Sequence, residues 1–306
     1  MLDYPGAQTV VSTDSLVEGV DFNLMYFPLK HLGYKAVVAG IADIFAMNAR
    51  PQQVLFSMAA SGKFSLEALE EIYKGVKQAC DLYKLDLAGG DMNSSLTGLH
   101  LNVTAIGSVQ SGNAVYRKTA KPNDVLCVTG DLGGAYMGLQ LLEREKEVFK
   151  KTPGVQPQLS GYDYILERQL KPEFPVRLLE IFEQAGIMPT SMIDISDGLG
   201  SELLHICKQS GTGAKVFEDK LPIADETRQM AKEMNMEPSI AAMNGGDDYE
   251  MLFTVTVEDF ELIREQEGIT PIGHMITDSN EVNLISGQGT PVPITAQGWN
   301  TADRES

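Results

Sequence analysis

Four short stretches of this chain set aspartates beside glycine, serine or threonine. Asp14 follows Ser12-Thr13, Asp91 follows Gly89-Gly90, Asp194 and Asp197 flank Ile195-Ser196, and Asp247 and Asp248 follow Gly245-Gly246. Glycine lets a backbone approach a ligand closely, and a carboxylate there can hold a hard cation through oxygen. Magnesium suits such positions, because it takes one or two carboxylates, keeps several waters and shares the rest of its shell with substrate phosphates. A second reading stands at each site: aspartate is also common as a turn residue and as a helix N-cap. Asp194 and Asp197 carry more weight, since they lie three apart at a strand-to-helix junction, and a helix N-terminus favours phosphate. No single spacing decides between the readings.

Other chemistries find no support. The sequence has no G-x-x-x-x-G-K-[ST] loop, no complete G-x-G-x-x-G, and neither H-R-D nor D-F-G. Its four histidines, His31, His100, His205 and His274, form no H-E-x-x-H pair, and no serine sits in G-x-S-x-G. The three cysteines, Cys80, Cys127 and Cys207, lie far apart in apolar stretches, which reads as buried packing in a reducing, cytoplasmic compartment. The 306 residues carry a formal net charge of −18, with no Lys/Arg cluster for a duplex, so no nucleic-acid partner is expected. No apolar run approaches the ~18 residues of a membrane span, so no membrane partner is expected either.

The elements that must position these aspartates alternate without strict βαβ order, which points to an α+β fold in two domains. Thr9–Thr13 is a β-rich run ending before Asp14. Residues 31–47 read as a buried helix with Asp43 near its end. Residues 66–83 form an amphipathic helix capped by Ser65, with Leu66, Leu69, Tyr73, Val76 and Cys80 on one stripe. Leu85–Ala88 reads as a strand stopping at Gly89, and residues 99–107 alternate as another. Val125–Thr129 is a strand leading through Gly130-Asp131-Leu132-Gly133-Gly134 into a helix, and residues 146–165 read as an irregular exposed insertion. Residues 175–186 form a helix, Met192–Ile195 a strand before a helix through Lys208, and Met251–Val257 a further strand. The domain boundary falls near residue 118, giving domains 1–118 and 119–306.

Taken in order, these segments resemble the thiamine-monophosphate kinase family, within the superfamily that includes aminoimidazole ribonucleotide synthetase. The resemblance rests on Ser12-Thr13-Asp14-Ser15-Leu16-Val17-Glu18-Gly19-Val20, Tyr34-Lys35-Ala36 leading to Asp43, Gly89-Gly90-Asp91, Asp194-Ile195-Ser196-Asp197-Gly198-Leu199, Gly245-Gly246-Asp247-Asp248-Tyr249-Glu250 and Gly298-Trp299-Asn300. It implies ATP- and Mg2+-dependent phosphorylation of thiamine monophosphate to thiamine diphosphate. It also implies a homodimer whose N-terminal sheets pair into a barrel, and a C-terminal α/β sandwich domain. The N-terminal domain would then serve dimerisation and metal and ATP binding, and the C-terminal domain substrate and phosphate. Metal ligands carry over to Ser12, Thr13, Asp14, Asp43, Asp91, Asp194 and Asp197. Nucleotide contacts carry over to Tyr73, Gly90, Asp91, Arg117 and Ser196, and substrate contacts to Asp21, Asp247 and Trp299. The acceptor phosphate is already ionised, so no catalytic base is assigned.

The chain departs from the family pattern at several points. The family carries an upstream G-I-G-D-D-A-A-V segment with one more acidic ligand, and this sequence begins beyond it. Asp21 stands for the usual His, Ala42 for Ser, Met92 for Thr, Asp247 for Glu, and Asn300-Thr301 for Asp-His. Two alternatives follow: a degenerate or truncated homologue that binds nucleotide and metal with little turnover, or another ATP-dependent synthetase of the superfamily.

Overall fold

The structure is a computed structural model and describes residues 6–152 and 154–295. The chain separates into two compact units, residues 1–114 with 139–173, and residues 115–138 with 174–306.

The first unit is built on strands β1 (Ala7–Val17), β2 (Arg50–Ser61), β3 (Asp86–Ser95) and β4 (Leu99–Gln110), in the order β1-β4-β2-β3. β4 alternates buried and half-buried residues from end to end, so one face of the sheet is core and the other is not. Helix α1 (Leu29–Ala46) lies on the core face. Its sequence is apolar on nearly every side, and 14 of its 18 residues are buried, because α2 (Leu66–Tyr83) packs against it as well. Each Leu, Val or Ile so buried contributes about 1.5–3 kcal/mol. α2 is amphipathic as its spacing predicts, and Ser65 Oγ accepts the Ala68 N–H at 3.3 Å at its start. Its buried stripe is Ile72, Gly75, Val76, Ala79 and Cys80, whereas Leu66, in the first turn, is exposed.

Two strands run past the ends their local sequence suggests. β1 continues through Asp14 to Val17, since the whole of it pairs antiparallel with β4. β3 does not stop at Gly89; it runs through Gly89-Gly90-Asp91 to Ser95 as an edge strand paired parallel with β2. Gly90 is required there, because a Cβ would collide with the Phe56 carbonyl. The stretch 146–165 is also more ordered than its composition implies. Helix α3 (Gly134–Lys151) runs into it, and α4 (Asp163–Leu170) starts before it ends.

The second unit holds a seven-stranded sheet formed by β5 (Val125–Thr129), β6 (Ser191–Ile195), β7 (Gly213–Phe217), β8 (Glu250–Val255), β9 (Ile269–Ile276), β10 (Val282–Ile285) and β11 (Pro291–Pro293), in the order β11-β10-β7-β9-β5-β8-β6. All its pairings are antiparallel except β7 with β10. β5, β6 and β8 read as short continuous apolar runs and are buried along nearly their whole length. Helices α5 (Arg177–Ala185), α6 (Leu199–Ser210), α7 (Asp225–Glu233), α8 (Pro238–Asn244) and α9 (Val257–Ile263) complete the unit. α6 packs its Leu199, Leu203, Ile206 and Cys207 into one core with Leu126, Val128, Ile193, Leu252 and Ile272. All three cysteines are free and buried, and burial pushes each thiol well above its usual range. Among the described residues, no helix is long and apolar enough to cross a membrane.

Candidate functional site

β6 ends at Ile195, the chain turns through Ser196-Asp197-Gly198, and α6 begins at Leu199. Gly198 adopts φ 103°, and a Cβ there would press on Met243, Asn244 and Gly245, each 3.0 Å away. The turn is stitched to the second Gly-Asp motif. Asp247 N–H donates to the Ser196 carbonyl at 2.8 Å, and Tyr249 N–H to the Ile195 carbonyl at 2.9 Å. Gly246 leaves room for this, since a Cβ would meet the Ser196 oxygen at 2.5 Å. Two motifs distant in sequence are therefore one local construction. Within it Asp247 and Tyr249 hold φ 67° and 52°, a left-handed backbone that costs non-glycine residues about 1–3 kcal/mol and tends to collect at functional sites. Tyr249 Oη donates to Asp247 Oδ1 at 3.1 Å and so orients that carboxylate.

The turn is acidic, with an exposed Asp197 between two buried carboxylic side chains, Asp194 and Glu202. Asp194, in β6, is 7% exposed. Glu202, in the first turn of α6, is 4% exposed and accepts the Asp197 N–H at Oε1, 3.3 Å away. Burial, and then the charges of Asp194 and Asp197, push the Glu202 carboxyl up to about 8; the Asp197 N–H and the Arg117 guanidinium act in the opposite direction. The structure thus brings Asp194, Ser196, Asp197, Arg117 and Glu202 into one neighbourhood, with Asp247 alongside. Among the described residues no three His, Cys, Asp or Glu side chains stand close enough to enclose a metal ion by themselves. An oxygen-only donor set of one or two carboxylates fits Mg2+, which completes its shell with water and phosphate oxygens. Such a cation offsets the repulsion between neighbouring carboxylates.

Asp248 and Glu250, from the same motif, do different work. Asp248 is fully buried and accepts the Gly133 N–H at 2.7 Å and the Ala135 N–H at 3.3 Å, at the start of α3. It therefore occupies one amide of the Gly130-Asp131-Leu132-Gly133-Gly134 loop and one of the first turn of α3. Glu250 accepts from Thr129 Oγ1 at 2.6 Å, and a Cβ on Gly130 would run into its carboxylate. Asp248→Asn turns an amide toward donor N–H groups and removes a charge-assisted pair. We expect it to lower stability by about 2–4 kcal/mol in urea unfolding, and an unchanged midpoint would contradict the capping role.

In the first unit the sheet sorts the remaining aspartates. Ser12, Asp14 and Leu16 share the helix-covered face of β1, and Ser12 Oγ donates to Asp43 Oδ2 on α1 at 2.6 Å. Thr13 points the other way, 3.2 Å from Thr104 Oγ1. Asp91 lies in register with Ser57, Asn102 and Ser15, on the uncovered face of β3. Gly90 stands beside it in register with Phe56. Tyr73, on α2, packs edge-on against Phe56 with centroids 5.3 Å apart. Asp21 closes the turn after β1 by accepting the Val17 N–H at 2.7 Å. Trp299 lies outside the described residues.

Against this geometry, the comparisons with known proteins agree with one another. The model of the AIR synthase related protein, N-terminal domain, matches residues 1–109. The thiamine-monophosphate kinase of Bacillus subtilis (strain 168) is 33% identical over 305 residues, spanning 96% of this chain and 88% of its own. The chain belongs to the thiamine-monophosphate kinase family. The family's kinase from Escherichia coli (strain K12) is 31% identical over 309 residues, spanning 98% of this chain and 89% of its own. Among solved structures, AaThiL complexed with AMPPCP and TMP matches with a TM-score of 0.80 at 26% identity, covering 97% of this chain and 88% of that one. The α+β, two-domain fold expected from the sequence is the fold of this family.

Proposed function

We propose that this chain transfers the γ-phosphoryl group of ATP directly to the phosphate of thiamine monophosphate, forming thiamine diphosphate and ADP. The observation that carries the reading is the Asp194–Gly198 turn, stitched to the Gly245–Glu250 loop at the N-terminus of α6, in a family with a solved complex of AMPPCP and TMP. One P–O bond of ATP breaks and one forms to an oxygen of the acceptor phosphate. The transition state of such a transfer is loose, so catalysis is mostly positioning and charge neutralisation. Asp194 and Asp197, with Ser12, Thr13, Asp14, Asp43 and Asp91, are the proposed holders of Mg2+. Bound there, Mg2+ supplies charge neutralisation on the phosphate oxygens. Arg117 balances phosphate charge, and Ser196, Gly90, Asp91 and Tyr73 contact the nucleotide. Asp21, Asp247 and Trp299 hold the substrate, with Asp247 fixed by Tyr249 Oη. Pairing of two N-terminal sheets into a homodimer belongs to the same proposal.

The test is incubation of the purified chain with ATP, Mg2+ and thiamine monophosphate. Equimolar thiamine diphosphate and ADP are expected, and neither when Mg2+ is chelated. Mg2+-dependent ATP binding without product would replace this reading with that of a nucleotide-binding homologue of little turnover.

A further inference from the structure

Every backbone group of the Ser196–Gly198 turn that the structure ties down has an identifiable partner. The Ile195 and Ser196 carbonyls receive the Tyr249 and Asp247 amides, and the Gly198 carbonyl receives the Glu202 amide at 3.2 Å. The N-cap of α6 is Gly198, which has no side chain to offer the orphan amides of a helix start. Glu202, in the first turn, instead reaches back past the N-cap and accepts the N–H of Asp197, the residue before Gly198, so it ties down the turn. Its carboxylate is nearly inaccessible to solvent, although an acidic side chain on an amphipathic helix ordinarily faces water.

We infer that Glu202 is a positioning residue, whose carbonyl-like oxygen fixes the Asp197 backbone and thereby aims the Asp197 carboxylate. The inference rests on the proposed placing of Mg2+ at Asp194 and Asp197. It assigns Glu202 no contact with metal or substrate. It requires an acceptor at that reach from the α6 backbone, and not the negative charge.

Two substitutions separate reach from charge. E202Q keeps the length and an acceptor oxygen but loses the charge. E202D keeps the charge but is one methylene shorter, and the contact, already 3.3 Å long, is lost. The readout is the Mg2+ concentration for half-maximal ATP binding by calorimetry on the full chain, with thiamine diphosphate formation and Tm followed in parallel. We expect E202D to raise that concentration roughly tenfold to a hundredfold, the usual consequence of losing a partner that orients a ligand. E202Q is expected to stay within about threefold of the wild type on the same ground. Loss in E202Q with retention in E202D would show that charge matters and overturn the inference, as would equal loss in both. Unchanged Mg2+ dependence in both, whatever their Tm, would reduce Glu202 to a structural part of α6 and overturn it too. A wild-type chain that binds ATP with Mg2+ but forms no product removes the kinase reading alone. One with no Mg2+-dependent ATP binding removes both.

Discussion

Asp194→Asn is expected to lower thiamine diphosphate formation by roughly 100- to 1,000-fold, the range for removing one preorganised charge-stabilising group from an active site. Asparagine has the same shape, so the packing of β6 against β8 and the register of Asp194 with Met251 are kept. What disappears is one negative charge from a group of three carboxylates, of which Asp194 and Glu202 are buried and Asp197 is exposed. Without Mg2+ that removal relieves repulsion, so the Tm of the metal-free variant is expected to equal or exceed that of the wild type. Mg2+ should then raise the Tm of the wild type, because it binds the folded state, and leave that of the variant nearly unchanged. Activity and metal-free stability would thus move in opposite directions, the signature of a residue retained for function at a cost in stability. Activity within about threefold of the wild type would remove Asp194 from the metal-holding set, since such a change is under 1 kcal/mol of barrier. A sharp drop in the metal-free Tm would instead make it a structural residue.

The same site shows which parts of the molecule local sequence can reveal. α2 is found over the residues its period gives, because an amphipathic repeat and a Ser N-cap are both local signals. The Asp194–Leu199 junction is legible for a similar reason: an apolar run, a small polar turn and a helix follow one another within a dozen residues. β3 is not legible in full. Two glycines read locally as a stop, and what carries the strand through them is its pairing with β2, a contact distant in sequence. Asp248 and Asp247 are adjacent and look equivalent, yet one is turned to the α3 amides 115 residues earlier and the other to Tyr249. Glu202 has the sequence signal of a solvent-facing helix residue, and its inward contact with the Asp197 N–H is visible only in the fold. The opposite faces of Ser12 and Thr13 follow from strand alternation once β1 is seen to extend through them.

The largest effect on the fold itself is expected at two glycines in the crossing of α1 and α2. A Cβ on Gly75 would run into the Lys30 carbonyl and stand 2.8 Å from the Tyr34 nitrogen. A Cβ on Gly33 would run into the Ile72 carbonyl and stand 3.1 Å from the Val76 nitrogen. Each helix therefore uses a glycine where the other's backbone comes closest, and backbone, unlike a side chain, cannot rotate out of the way. Helix propensity predicts the opposite sign, since Ala in a helix interior is better than Gly by about 1 kcal/mol. Overpacking against a fixed backbone costs typically 1–3 kcal/mol or more, and here two helices that bury most of their contact faces would have to separate. Gly75→Ala is accordingly expected to destabilise by about 2–4 kcal/mol in urea unfolding at unchanged slope. Gly75→Val, bulkier and β-branched, should leave little folded protein, since total stability is only about 5–15 kcal/mol. Gly62→Ala, where an added Cβ meets nothing within 4 Å, is the control and should be nearly neutral. The displacement also reaches the chemistry, because α1 carries Asp43 to its 2.6 Å bond with Ser12. Whatever Gly75→Ala protein remains folded should therefore require more Mg2+ for ATP binding than the Gly62→Ala control. A Gly75→Ala chain as stable as the wild type would show that the two helices have slack at their crossing, and that Asp43 is not held by it.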